Sequence, residues 1–309
     1  MAKHFLTITD VTAAQLQQVV RRAAAFKRNR KLERRLLDGR TIALVFQKPS
    51  MRTRVAFEVA VLELGGSVVY LGQDDVRVGQ REPFKDVARV LSGYVHGIVA
   101  RTFAHRDAEE LAAFSRVPVI NGLSDEFHPC QAVADLLTIA EHHGRLRGAR
   151  VAYVGDGNNV LHSLAQGCGM LGVNLSVATP PTHRPEGSIW SDAVRLAKRS
   201  GAGLRWTVDP REAVRGAQIV YTDVWVSMGQ ESERAARLKV LRPYQVNGGL
   251  LKLAAPGASV MHCLPAHRGE EITDGLMESP RSLIFQQAEN RLHAHKAILE
   301  FLFKGKETA

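Results

Sequence analysis

The feature that most constrains this chain is a rhythm: short β-branched, apolar runs alternate with stretches of helical periodicity along nearly its whole length. The runs at 41–46, 67–71, 97–101, 117–120, 150–154, 173–178, 218–221, 259–262 and 282–285 read as strands. Helical patterns at 53–64, 84–91, 108–114, 132–142, 160–170, 192–198 and 288–303 separate most of them. Strands divided by helices pair in parallel, and the helices cover both faces of the sheet. At 309 residues the chain is long for one core and suits two domains of about 150 residues each. The expected fold is therefore α/β, with two doubly wound parallel-sheet domains, 1–140 and 141–309, joined by long helices. The second series begins after the basic turn Arg145-Leu146-Arg147-Gly148. In the last helix Leu292, Ile298, Leu299 and Leu302 lie near helical spacing, so it is expected to pack back on the first domain, with His293 and His295 solvated or capping.

Composition removes several function classes. Hydrophobic residues make up 45% and charged residues 23%, and no segment reaches the roughly 18 unbroken apolar residues of a membrane span. The N-terminal residues lack an apolar stretch followed by a small-residue cleavage site. Three scattered cysteines, Cys130, Cys168 and Cys263, make no disulfide framework and suit a reducing compartment. We therefore expect a cytoplasmic protein. The net charge of +10 is concentrated at 21–40, where a basic amphipathic helix reads as a solvated face; no zinc-finger, RNP or basic-zipper pattern accompanies it. No nucleic-acid or membrane partner is expected, and the arginine excess suits an enzyme that attracts anionic small molecules.

The chemistry-bearing strings fall at the ends of the strands, where open parallel sheets bind ligands. Pro49-Ser50-Met51-Arg52-Thr53-Arg54 follows the first strand and opens a helix. It reads either as a phosphate cradle of amides, hydroxyls and guanidinium forks, or as a helix start with Ser50 as N-cap and arginines in solvent. Partners for an anion recur: Arg101-Thr102 closes one strand, and Asn121 and then His128-Pro129-Cys130-Gln131 follow another. In the second half, Gly155-Asp156-Gly157-Asn158-Asn159 begins like a dinucleotide fingerprint. Val160 stands where the third glycine belongs, and Ala178-Thr179-Pro180 replaces the ribose-binding acid, so a nicotinamide cofactor is disfavoured. Asn158 and Asn159 offer amides to a carboxylate at a helix N-terminus. Asp223-Val224-Trp225-Val226-Ser227-Met228-Gly229 supplies an acid for an ammonium, and His262-Cys263-Leu264-Pro265 supplies a thiol at a strand end. A zinc site from His128, Cys130, His262 and Cys263 lacks the usual ligand spacing.

Together these strings resemble the ornithine branch of the aspartate/ornithine carbamoyltransferase superfamily, in one order from Lys3-His4-Phe5-Leu6 to Ala288-Glu289-Asn290-Arg291. The resemblance implies transfer of a carbamoyl group from carbamoyl phosphate to the δ-amine of L-ornithine, giving L-citrulline and phosphate, with no cofactor and no metal. It implies that Ser50, Arg52, Thr53 and the Met51 amide hold the phosphate. Arg101, His128 and Thr53 would meet the carbonyl oxygen, with Arg291 facing the tetrahedral intermediate. Gln131 and the backbone at Cys263 and Leu264 would fix the carbamoyl amide. Asn159 and the Met228 amide would take the amino-acid carboxylate, Asp223 and Ser227 its α-amino group, and Cys263 would sit beside the attacking amine as a polar contact. The family also implies a homotrimer in which a loop from a neighbouring subunit reaches the phosphate; Arg77 stands at the usual Gln of that loop, and Gln80 is the alternative contact. Met51 replaces the family's usual Thr.

Overall fold

The computed structural model describes residues 3–73, 82–227 and 229–304. The chain divides into two compact units, Met1–Leu137 with Asn290–Ala309, and Thr138–Glu289. Each is built on a wholly parallel sheet.

The first unit pairs β1 (Thr41–Phe46), β2 (Ser67–Leu71), β3 (Gly97–Arg101) and β4 (Val119–Leu123) in the order β2-β1-β3-β4. Central β1 and β3 are apolar residue after residue because helices cover both faces, whereas edge strand β2 is partly open to solvent. Ala43, Val45, Ile98, Ala100 and Val119 pack with Phe84, Val87 and Leu111. Those last three come from α3 (Phe84–Tyr94) and α4 (His105–Phe114), which follow α1 (Ala13–Arg28) and α2 (Met51–Glu63). Helix α1 starts at a capping box: Thr12 Oγ1 accepts from the Gln15 amide, and Gln15 Oε1 from the Thr12 amide. Strand β4 begins two residues later than 117–120 and runs on to Leu123, so Asn121 lies inside it. The fully buried Asn121 amide donates to the Leu6 carbonyl at 3.0 Å and ties down the N-terminal segment. It is a structural residue, not a strand-end ligand.

The long helix α5 (Pro129–His143) contributes to both units. The second unit orders its strands β7-β6-β5-β8-β9, namely β7 (Leu204–Thr207), β6 (Asn174–Ala178), β5 (Arg150–Val154), β8 (Ile219–Thr222) and β9 (Ser259–His262). Helix α6 (Asn159–Leu171) is buried from Val160 onward and packs on α7 (Gly187–Ser200). Their approach needs Gly169, since a Cβ there would lie 2.7 Å from the Ala193 carbonyl. The shorter α8 (Pro210–Val214), α9 (Arg234–Leu241), α10 (Gly248–Leu251) and α11 (Asp274–Met277) complete this unit.

Three expectations are corrected. Strand β7 has no counterpart among the expected strands; it is a four-residue, half-exposed edge, too short for a periodic signal. The run 282–285 is not a strand: Ser282 makes one bridge to Val260, and α12 (Ile284–Phe303) begins two residues on. Four apolar residues fit a strand or a buried helix start equally. His293 and His295 are buried, not solvated. The polar residues of α12 suggested an open face, but they are buried with partners: Glu300 accepts from Arg22, and the Lys296 ammonium donates to the Arg30 carbonyl and to Glu63.

Candidate active site

In each sheet the strand order reverses beside one strand, β1 in the first and β5 in the second, and a crevice opens beyond the carboxyl ends there. In the first unit the crevice lies beyond β1 and β3, whose last residues Phe46 and Arg101 are register partners. Gln47 ties the two exits together, with its amide donating to the Arg101 carbonyl and its Oε1 accepting from the Phe103 amide at 2.7 Å. Helix α2 begins at Met51. Ser50 is its N-cap, and its hydroxyl accepts from the Thr53 amide at 3.3 Å. The Met51 and Arg52 amides precede any intrahelical acceptor and carry the positive end of the helix dipole. Arg54, by contrast, turns to Glu58 and lies over the Tyr70 ring.

Thr53 is the centre of this half. Its fully buried hydroxyl accepts from Arg291 Nη2 at 2.8 Å and from Arg101 Nη1 at 3.5 Å; guanidinium groups cannot accept, so the hydroxyl's own hydrogen can be donated only to some other group. Arg291 comes from α12, more than two hundred residues away in sequence. His128, just before α5, is buried; burial, then the charges of Arg291 and Arg101, hold its imidazole well below the ordinary histidine range. It is a neutral ring, able to donate from one nitrogen. Gln131 is buried and donates Nε2 to Asp135 at 2.8 Å, while no donor among the described residues reaches its Oε1. That acceptor suits an amide hydrogen. Lys48, which sequence reasoning passed over, is buried over the Phe103 ring, and burial followed by the charge of Arg101 lowers its pKa. Without the fold, nothing separates it from a surface lysine. Arg77 and Gln80 lie outside the described residues.

In the second unit, Asn158 caps α6: its Oδ1 accepts from the Val160 and Leu161 amides, and its Nδ2 donates to Asp223 Oδ2 at 2.7 Å. Asp223, just past β8, also accepts from the Cys263 thiol at 2.9 Å through Oδ1. Asn158, Asp223 and Cys263 thus form one hydrogen-bonded chain across the ends of β5, β8 and β9. Asn159 is the first residue of α6 and only half-buried. Ser227 follows on the same loop as Asp223, with its amide held by Gln230 Oε1; Met228 lies outside the described residues.

The turn after β9 is held by a pair that sequence reasoning missed. His262 Nδ1 accepts from the Leu264 amide at 2.9 Å, so the hydrogen is on Nε2, which donates to the fully buried Glu271 at 3.1 Å. Leu264 there adopts φ +60°, in the left-handed region. Its amide is engaged internally and so is not a donor to a ligand, while carbonyls of this turn can accept from an N–H. The only sequence signal for Glu271 was its place in a string following the thiol.

Two rival chemistries lose their footing in this geometry. A Cβ on Gly157 would lie 2.4 Å from the His183 carbonyl and the Pro185 nitrogen, so the backbone after β6 fills the space a pyrophosphate would need over this loop. Ligand atoms of Asp223, His262 and Cys263 lie within 4.8 Å of one another, but internal hydrogen bonds account for that grouping and engage both His262 nitrogens. Cys130 donates to the Asn121 carbonyl, and burial pushes its thiol up to about 12.

Two family models divide the chain between them: the carbamoyl-P binding domain of aspartate/ornithine carbamoyltransferase matches residues 3–141, and its Asp/Orn binding domain matches 147–302. The chain belongs to the aspartate/ornithine carbamoyltransferase family. Within that family it is 51% identical to an ornithine carbamoyltransferase of Gloeobacter violaceus over 301 residues, covering 97% of this chain and 96% of the relative. It is 49% identical to an anabolic ornithine carbamoyltransferase of Pyrococcus furiosus, covering 98% and 97%. A solved structure of ornithine carbamoyltransferase from Pyrococcus furiosus superposes with a TM-score of 0.95 at 48% identity, covering 99% of both chains. The family models divide their duties as the two half-sites do: the cradle around Thr53 falls in the carbamoyl-phosphate part, and the Asn158–Asp223–Cys263 chain in the amino-acid part.

Proposed function

We propose the following division of labour for the reaction this chain catalyses, transfer of the carbamoyl group of carbamoyl phosphate to the δ-amine of L-ornithine, giving L-citrulline and phosphate. Ser50, Arg52, Thr53 and the Met51 amide hold the phosphate at the start of α2. The carbonyl oxygen gains negative charge as the tetrahedral intermediate forms, and neutral His128, Arg101 and the Thr53 hydroxyl donate to it, with Arg291 beside them. Gln131 Oε1 and the carbonyls at Cys263 and Leu264 accept from the carbamoyl amide. Asn159 and the Met228 amide meet the ornithine carboxylate, and Asp223 and Ser227 the α-ammonium. The Cys263 thiol gives its hydrogen to Asp223, which turns a sulfur lone pair toward the attacking amine. That amine attacks unprotonated, and the departing phosphate carries away the proton. The observation that carries this reading is the Thr53 hydroxyl accepting from Arg291 at 2.8 Å and from Arg101 at 3.5 Å at the N-terminus of α2, which gathers two guanidiniums on one hydroxyl.

We further propose a homotrimer, with Arg77 or Gln80 of a neighbouring subunit at the phosphate. Its support is the stripe Met51, Val55 and Leu62 along α2, exposed by 70%, 50% and 63%, beside the partly open strand β2. Three cysteines, none of them in a disulfide, support a cytoplasmic location.

The test is a ureido-product and phosphate-release assay with carbamoyl phosphate and a panel of L-ornithine, N-acetylornithine, putrescine, L-lysine and L-aspartate. Turnover with L-ornithine well above the rest is expected. Preference for another amine would sink the roles of Asp223 and Ser227, and no turnover by the folded protein would sink the whole assignment.

A further inference from the structure

Arg237, on α9, plays no part in the chemistry above, yet it is largely buried and joins two loops of the second unit. Its Nη2 donates to Asp156 Oδ2 at 2.6 Å, and its Nε donates to the Trp225 carbonyl at 2.6 Å. Nη1 lies 3.6 Å from the exposed Glu233. Asp156 belongs to the loop between β5 and α6, two residues before the cap Asn158 and three before Asn159; its carbonyl accepts from the Asn158 amide at 2.9 Å. Trp225 belongs to the loop after β8, two residues past Asp223 and two before Ser227. Trp225, Val226 and Leu241 form a small buried cluster with Leu238, which seats this loop on the same helix that carries Arg237.

We propose that Arg237 is a positioning residue for the amino-acid substrate, a latch whose single guanidinium sets the spacing between the loop bearing Asn159 and the loop bearing Asp223 and Ser227. The latch rests on the ornithine assignment made above. A planar fork can bond a carboxylate and a carbonyl at once in fixed geometry, which an ammonium cannot. The alternative is a buried ion pair that stabilises the fold and nothing more. The two differ in what they predict: a structural pair alters stability and both substrates alike, whereas a latch alters the amino-acid side.

The experiment is steady-state kinetics of Arg237→Met, Arg237→Lys and Asp156→Asn with each substrate varied against saturating amounts of the other, beside circular dichroism and thermal melts. L-norvaline, which keeps the α-carboxylate and α-amino group but lacks the δ-amine, serves as a calorimetric probe of the subsite in the presence of carbamoyl phosphate. Loss of a charge-assisted hydrogen bond predicts that KM for ornithine and Kd for norvaline rise by about tenfold or more in R237M. KM for carbamoyl phosphate should stay within about twofold, with R237K and D156N in between. Unchanged ornithine KM in a folded R237M, or an equal rise for both substrates, overturns the latch. If R237M does not fold, R237K and D156N carry the same test. A wild-type protein that does not use ornithine overturns the assignment beneath it, and the latch with it.

Discussion

Arg291 and Arg101 both donate to Thr53 and both bear electrostatically on His128, and these interactions decide what each residue can do. With two guanidiniums donating to it, the Thr53 hydroxyl is an oriented donor. Thr53→Val keeps the shape and leaves Ser50 as helix cap, so the helix should persist while kcat falls about 100-fold, the usual cost of one oxyanion donor. A fall under threefold, with unchanged circular dichroism, would remove Thr53 from the mechanism. His128 is neutral because burial and neighbouring positive charge oppose its protonation. His128→Asn should therefore lower kcat without removing an inflection between pH 6 and 8; loss of such an inflection would mean that the ring titrates in the working range. Asp156 behaves in the opposite sense to a usual paired carboxylate, since burial raises it to about 7 despite Arg237, with Asp223 opposing ionisation further. The folded chain keeps this proton after the unfolded chain has lost it, so the group's contribution to stability is full below about pH 4 and declines as pH rises toward 7. Asp156→Asn lacks that decline. Its melting temperature relative to wild type should shift upward as pH goes from 5 to 7.5, with Arg237, Glu233 and Asp223 the charged groups that face the site; a constant offset would show that Asp156 is already ionised in the fold.

Elements were read well where periodicity was long and poorly where it was short. Helix α6 is enclosed from Val160 onward, burying His162, Ser163 and Gln166 with its apolar residues, and Gly169 is the reason α7 can approach it so closely. Gly169→Ala gains helix propensity, yet its Cβ would meet the Ala193 carbonyl at 2.7 Å. Overpacking should win and destabilise the unit by about 1–3 kcal/mol, read by urea unfolding; a stabilised variant would mean that α7 can slide away. Strand β7 escaped because four residues at an edge carry little pattern. The run 282–285 misled because apolar residues alone cannot separate a buried helix start from a strand. The histidines of α12 read from sequence as solvated or capping, because helical polarity reads as exposure. His295 instead stacks on Phe57 with ring centroids 3.8 Å apart, one turn from Thr53 on its own helix.

At the scale of the whole molecule, the apolar stripe on α2 predicts assembly. Light scattering should find a particle of three 34.0 kDa chains, and Val55→Glu with Leu62→Glu should give single chains with activity lost. A fully active wild-type monomer would end the trimer proposal. Within the basic segment at 21–40, Arg22 pairs with Glu300 and Arg30 with Glu63. Sequence alone determined the α/β class, because alternating periods of 2 and 3.6 are local properties, and it marked the strand ends proposed to carry chemistry, because Ser50 to Thr53, His128 to Gln131 and Cys263 to Leu264 are contiguous strings. Only the tertiary structure decided how those strings work. That Arg291 donates to Thr53, that Asn158 and Cys263 share Asp223, and that Glu271 orients His262 are contacts between residues from 9 to 238 positions apart. Such contacts leave no periodic trace, because the hydrogen bonds that orient a side chain are made in space by whichever residues the folding of each unit brings to the ends of its own sheet.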